Sequence, residues 1–349
     1  MQAKKRVSIA DIARQLNISV TTVSFILNGK AREMRISDAL IKKVETLIQQ
    51  TNYQPNALAK SFRTGKTNTI GLLIEDISNP FFAQIARQIE DNAYKRGYRI
   101  FYASTENSIE KAREMIQLFA DRHVDGYIIT APAGIEAEIK TLIEMKRPVV
   151  LFDRYFKGLQ TSYVGVDNYT GTYDAVIHLL ENGSRNIAFV TTDSAQSQMK
   201  DRLAGYKKAL QEYGATAYVK KIPFDGQEGK EVTRHITAYL HSKSKVDAVF
   251  FATNYLLLRG LEALAVLGKK VGEEMRVVSF DDHEFFALFN PAITAVAQPV
   301  PEIASQLINL LLQELEQPDI QEKQFIQLPA TLHVRASSVK KTHNAHVNN

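Results

Sequence analysis

The sequence predicts an N-terminal all-α helix-turn-helix head joined to an α/β body of two doubly wound parallel-sheet subdomains. Three observations predict it. The first fifty residues hold three short helical patterns, each opened by a capping residue and each with one apolar face. From Thr69 onward, apolar strand-like runs alternate with amphipathic helical stretches. That alternation has too many units for one compact sheet and restarts near Asn186, which divides it into two sheets. A chain of 349 residues is also too long for a single ordinary core.

In the head, Ser8 followed by Asp11 reads as a capping box, with Ile9, Ile12, Ala13 and Leu16 at helical spacing. Asn17 breaks that helix. Ser19 caps a second, Val20–Asn28, with Val23, Ile26 and Leu27 on its apolar side and Asn28-Gly29 at its end. Ser37 caps a third, about Asp38–Gln50, carrying Leu40, Val44, Leu47 and Ile48. Two short helices joined by a tight turn and closed by a third make the helix-turn-helix pattern. The second helix leaves Val20, Thr21, Ser24 and Phe25 near its exposed N-terminal half. Such a half enters the major groove, where hydroxyls meet base edges or phosphates and apolar groups meet thymine methyls. Pro55 then interrupts the third helix, and Ala57–Arg63 has room for about two helical turns, too few to be stable alone in water. It reads as a hinge.

Charge supports a polyanionic partner. Residues 1–66 carry 12 Lys and Arg against 4 Asp and Glu, a net +8, whereas the whole chain is +5 and the rest is therefore −3. A compact basic head on a mildly acidic body is suited to nucleic acid. Several classes are excluded. There is no cysteine, so no disulfide, thiolate metal site or cysteine nucleophile is available, which suits a reducing cytoplasm. The basic N-terminus lacks the apolar core of a secretory signal, and no run is apolar enough to span a bilayer. Gly65-Lys66-Thr67 ends like a phosphate loop, but the earlier glycine falls on Lys60, so nucleotide binding there is rejected. His283-Glu284 belongs to no metalloprotease motif, and no metal or other cofactor is assigned.

In the body the strands are expected at Thr69–Glu75, Tyr98–Ser104, Gly126–Ala131, Pro148–Asp153, Asn186–Thr191, Asp247–Thr253 and Arg276–Asp281. Helices follow them, several ended by glycine: Gly97, Gly183 and Gly214. Apolar runs near Thr294–Ala297 and Thr331–Ala336 place the final crossings between subdomains. The expected domains are 1–55 for the head, 56–68 for hinge and linker, 69–338 for the body and 339–349 for a polar tail. Within the body, 69–166 plus about 298–326 make one subdomain, and 167–297 plus about 327–338 the other.

Ligands in such sheets bind outside the carboxyl ends of the strands, and two facing subdomains form a cleft. The residues at those ends are Asn79, Phe81, Phe82, Asp153, Arg154, Phe224, Asn254, Asp281 and the crossover residue Gln298, with Arg202 on the Gln196 helix. The set suits a polyol: aromatic faces for the ring, and Asp, Arg, Asn and Gln for its hydroxyls. Several have a plainer reading. Phe81 and Phe82 open a helix and can be core; Asp153-Arg154 can be an internal ion pair; Asp281-Asp282 can cap the following helix.

Val7–Ala13, Thr21-Thr22-Val23-Ser24, Asn28-Gly29 and Tyr53–Gly65 together resemble the head and hinge of the lactose-repressor (LacI/GalR) family. The likeness runs to about residue 338, and the body is similar to the type I periplasmic sugar-binding proteins. The resemblance implies DNA contacts from Ser8, Val20, Thr21, Thr22, Ser24, Phe25, Asn28 and Tyr53, and from Asn56, Ala59 and Phe62 in the hinge. It implies that paired hinge helices of a homodimer enter the central minor groove of a near-palindromic double-stranded operator and wedge a side chain into a base step. It also implies ligand contact at each strand-end position above. Phe25 stands where the family usually has arginine, which alters the expected half-site toward a thymine methyl. Phe62 replaces the usual leucine wedge. Packing inside the head is the competing reading of both. Tyr255 stands where the family has aspartate. The family's tetramers carry a C-terminal heptad zipper; Lys340–Asn349 is polar and has none, so a dimer is expected.

The expected function is a cytoplasmic, sequence-specific, allosteric transcriptional regulator, a repressor by resemblance, switched by a monosaccharide-like effector. A nucleoside-responsive regulator is the near alternative, since Phe81, Phe82 and Phe224 can stack on a base. A secreted solute-binding protein fits the body but not the head or the missing signal. An enzyme is disfavoured: Asp153, Asp281 and Glu284 supply carboxylates for a glycosidase pair, but no catalytic motif accompanies them.

Overall fold

The computed structural model describes residues 7–51, 53, 65–223, 229–317 and 322–340. The chain divides into two compact units, residues 1–67 and 68–349.

In the first unit α1 (Ile9–Gln15), α2 (Val20–Leu27) and α3 (Asp38–Thr51) enclose Ile12, Ala13, Val23, Ile26, Val44 and Leu47. The capping box forms: the Ser8 hydroxyl accepts the Asp11 backbone N–H, and the Asp11 carboxylate accepts the Ser8 N–H at 3.0 Å. Ser19 caps α2 by accepting the Thr22 N–H. Between them Asn17 takes φ +55°, one of the few residue types that tolerates it, and so tightens the turn.

The second unit holds twelve strands among the described residues. In chain order they are β1 (Thr69–Ile74), β2 (Arg99–Ser104), β3 (Gly126–Ile129), β4 (Val149–Phe152), β5 (Ser162–Val166), β6 (Ile187–Thr192), β7 (Tyr218–Ile222), β8 (Ala248–Phe251), β9 (Arg276–Phe280), β10 (Thr294–Ala297), β11 (Phe325–Leu328) and β12 (Thr331–His333). The helices are α4 (Pro80–Lys95), α5 (Ile109–Asp121), α6 (Glu136–Glu144), α7 (Asn168–Glu181), α8 (Ser197–Glu212), α9 (Gly229–Ser242), α10 (Asn254–Val266) and α11 (Val300–Glu316). The strands make two six-stranded sheets, ordered β11-β5-β4-β3-β1-β2 and β12-β10-β9-β8-β6-β7. Every pairing is parallel except β10 with β12.

Both faces of each sheet are covered over the inner strands, which is why most of those strands read as continuous apolar runs, whereas the edge strands are partly exposed. Ile70, Leu72 and Ile74 of β1 face α4 and α11, while Leu73 points to the opposite side with Ile116 and Phe119 of α5. In the second sheet Phe189 and Phe250 meet α7 and α8, and Val190 and Phe251 meet α9 and α10. Gly260 is required for that contact, because a Cβ there would fall 2.0 Å from the Phe251 ring. The chain passes between sheets three times: from β5 to α7, from β10 to α11, and from β11 to β12. The second half thus opens with α7, which packs on α8 and on β9, β10 and β12, before the strand at which the sequence pattern restarts.

Gly97, Gly183 and Gly214 end helices at φ +80°, +92° and +61°. Strands β5 and β11 escaped the sequence reading. β5 follows β4 through a loop and carries Gly165, and β11 is a partly exposed edge strand, so neither shows a long uninterrupted apolar run.

Candidate functional site

The carboxyl ends of both sheets converge on one cleft. Asp153 follows β4 and Asp281 follows β9, and both adopt the left-handed backbone, with φ +66° and +68°. This conformation is rare outside glycine and turns each carboxylate off its strand axis. Both are buried, as are Arg154 and Arg202.

Arg154 is held on three sides. It forms an ion pair with Glu75, a second with Asp153 at 3.3 Å, and donates to Asn107 Oδ1 at 2.5 Å. Arg202 donates to Asn168 Oδ1 at 2.8 Å and to the Ala252 carbonyl at 2.6 Å, lies 3.6 Å from Asp281, and rests over the Phe280 ring at 3.6 Å. Burial pushes the Asp153 carboxyl above its ordinary range; Arg154 and Arg202 oppose this, and Glu75 and Asp281 add to it. Burial works against the charge on Arg154, but Glu75 and Asp153 outweigh it and raise the guanidinium's pKa.

Direct bonds cross the cleft. Asn79, which caps α4, exchanges amide hydrogen bonds with Asn254 at 3.3 and 3.1 Å. Gln196 donates to Asn107 at 3.1 Å, Gln198 to Asp153 at 3.0 Å, and the Tyr155 N–H to Ser197 at 3.2 Å. Gln298 donates to Asp281 at 2.7 Å. The space left among these side chains is about 30 Å³, enough for water but not for a sugar ring. Gln198 Oε1 and Asn107 Nδ2 are buried and have no hydrogen-bond partner.

Eight of the ten strand-end candidates line this cleft: Asn79, Phe81, Phe82, Asp153, Arg154, Arg202, Asp281 and Gln298. Asn254 stands beside it, bonded to Asn79 and lining a neighbouring hollow of about 640 Å³. Phe224 lies outside the described residues. The plainer readings are partly realised. Phe82 packs edge-on against both Phe81 and Phe152, and Phe81 lies tilted against Phe152, so the two rings are largely core. Asp153 and Arg154 are an internal ion pair. The capping reading of Asp281-Asp282 is not realised: His283 caps the following turn, and Asp282 binds Arg335 and His333. Glu284 is exposed and is not in the cleft lining, which separates it from any carboxylate pair with Asp153 or Asp281. Tyr255 lies at the cleft wall, where burial pushes its hydroxyl pKa up.

Glu75, Asn107, Gln196 and Gln198 were missed. Glu75 was legible, since it directly follows β1. The others depend on how α8 and the loop after β2 meet across the cleft, which no local pattern records. Among the described residues no group of three or more His, Asp or Glu is placed to hold a metal ion.

On α2, Val20 and Thr21 are exposed. Phe25 is half-buried but is not among the side chains packed on the head's buried cluster. Ser24 and Asn28 are tied to each other, Asn28 Nδ2 donating to the Ser24 carbonyl at 2.7 Å. Thr22 Oγ1 is 2.8 Å from Ser19 Oγ. Ser8 is engaged in its capping box, and Tyr53 packs on the head core. Asn56, Ala59 and Phe62, with the expected hinge, lie outside the described residues.

Comparison with known proteins adds the context of this geometry. Residues 8–56 match the family described as bacterial regulatory proteins, lacI family, and residues 176–338 match the periplasmic binding protein-like domain. The chain is 30% identical to a ribose operon repressor of Halalkalibacterium halodurans, across 95% of this chain and 97% of that protein. It is 27% identical to a LacI family transcriptional regulator from Enterococcus faecium solved with bound ribose, covering 78% of this chain and 100% of that one at a TM-score of 0.69. It shares its fold with the lac repressor dimer bound to operator, at 21% identity, a TM-score of 0.82, and 96% and 100% of the two chains.

Proposed function

Because the chain belongs to the lacI family of bacterial regulatory proteins, and is therefore a DNA-binding transcriptional regulator rather than an enzyme, we propose that its cleft takes a monosaccharide of about pentose size and that sugar binding sets operator affinity. One observation carries the reading. Asp153 and Arg154, which follow β4 of one sheet, meet Asp281, which follows β9 of the other, and Arg202 of α8 in a single buried polar cleft. A ligand that touches both groups has more contacts when the sheets are close than when they are apart, and that difference is what shifts a conformational equilibrium. The relative solved with ribose supports a pentose.

The protein works as a homodimer on a near-palindromic operator, each α2 reading one half-site in the major groove. The exposed Val20 and Thr21 and the half-buried Phe25 face bases there, Phe25 favouring a thymine methyl. Admitting a sugar to a space of about 30 Å³ requires the sheets to part and close again.

The test uses the full chain and an operator selected from random DNA. Calorimetry with D-ribose should show binding, and operator should change D-ribose affinity by the same factor by which D-ribose changes operator affinity. D-ribose that binds without any effect on operator affinity would refute the coupling. Selection repeated with Phe25→Arg should return a different half-site; an unchanged consensus means that Phe25 does not face a base.

A further inference from the structure

Glu75 has no role in the reading above, yet its carboxylate is one of the groups closest to Arg154. A guanidinium has five N–H donors. Three of the Arg154 contacts are with Glu75, Asp153 and Asn107, and the first two are anionic. Arg202 faces Asp281, a carbonyl and Asn168. The five groups of the cleft that bear a formal charge are three carboxylates and two guanidiniums, so the cleft has a formal excess of one negative charge. Glu75 supplies that excess; Asp153 and Asp281 alone would balance the two arginines.

A bound phosphate or carboxylate needs charge-assisted donors whose charge is not already matched. Here both cations are matched, and in a buried site like-charge contact is poorly screened. Hydroxyls need no such charge. They can bridge the carboxylate oxygens as donors and take the remaining guanidinium N–H groups as acceptors.

We infer that Glu75 is a specificity-determining residue: by engaging Arg154 together with Asp153, it reserves the cleft for uncharged polyols and excludes phosphorylated or carboxylated sugars. The inference rests on the sugar reading above. Glu75→Gln keeps the shape and removes the charge, which brings the five groups to neutrality and leaves Arg154 with one anionic partner.

The experiment is calorimetry on the full-length protein with D-ribose, D-glucose, D-ribose 5-phosphate, D-glucose 6-phosphate and D-ribonate. Wild type should bind a free sugar at least 100-fold more tightly than its charged counterpart. Glu75→Gln should narrow that ratio at least tenfold, through a gain for the anion. Glu75→Asp, which keeps the carboxylate, should retain the wild-type preference and serves also if the glutamine variant does not fold. A wild type that binds an anionic probe as tightly as the free sugar overturns the inference and leaves the sugar reading standing. Equal losses for free and charged sugars in Glu75→Gln indicate a structural role and also overturn it. If no probe binds wild type, the sugar reading and the inference fall together.

Discussion

The two halves of the body repeat one plan and charge it differently. In strand order β4 of the first sheet corresponds to β9 of the second, each third from the edge formed by β11 or β12. Each is followed by an aspartate in the same left-handed conformation, at φ +66° and +68°. The next residue separates them. After Asp153 comes Arg154, which turns inward to Glu75. After Asp281 comes Asp282, which binds Arg335 and His333 on the segment that includes β12. The second half must then borrow its cleft cation, Arg202, from α8. A duplicated backbone therefore fixes where a carboxylate sits, while the neighbouring residue decides whether it serves the cleft or the frame.

Removing Arg154 should break this comparison most strongly. Arg154→Ala leaves the buried Asp153 and the half-buried Glu75 without their cation, and stability measured by urea unfolding at pH 7 should fall by about 3–5 kcal/mol. A loss below about 1 kcal/mol, the range of an exposed pair, would mean that water reaches these carboxylates. On the framework side, Asp282→Asn weakens the two contacts from Arg335 at 2.8 and 2.7 Å. It should cost about 1.5–3 kcal/mol with D-ribose affinity unchanged. If sugar affinity falls as well, Asp282 is not merely part of the frame.

Acid sharpens the contrast, because the two aspartates have opposite signs. Burial works against ionised Asp282, but hydrogen bonds from Arg335 and His333 outweigh it and hold its carboxyl below the ordinary range. Its contribution is complete above the unfolded-state value of about 3.9 and disappears as pH falls through the lower native value. Asp153, raised by burial, runs the other way. Its contribution is complete below about 3.9 and is lost as pH rises through the higher native value. The stability advantage of wild type over Asp282→Asn should shrink on acidification below about pH 4. That over Asp153→Asn should grow as pH falls from neutrality toward 4. Parallel trends would show that the two sites are not opposed. The smallest effect is expected from Asn254→Ala, which removes the exchange with Asn79. It should cost about 0.5–1.5 kcal/mol by the same unfolding measurement.

Much of this was legible in the sequence because its causes are local. Ser8 and Asp11 meet within one turn, and Gly97, Gly183 and Gly214 answer a local need for positive φ. The cleft was legible where a parallel sheet sends its strand ends to one side, as at Asp153, Arg154 and Asp281. It was not legible where position depends on a distant partner. Gln198 is 3% exposed beside Asp153, although it opens an ordinary amphipathic helix. Phe81 and Phe82 were read as faces for a ring, but the ring they face is Phe152.

The late strands have a consequence for synthesis. β11 pairs with β5, which lies about 160 residues earlier, and β12 pairs with β10. Until residues 325–333 have emerged, β5 and β10, which are inner strands of the finished sheets, are left as edges. Such edges invite pairing with other chains. The half that is translated first therefore cannot finish first: a ribosome-bound chain that has completed β1 to β5 must wait for β11, and both halves close within a few residues of each other. A chain stopped after α11 would contain nearly all of the hydrophobic core and yet present β5 and β10, inner strands of the finished sheets, as edges to its neighbours.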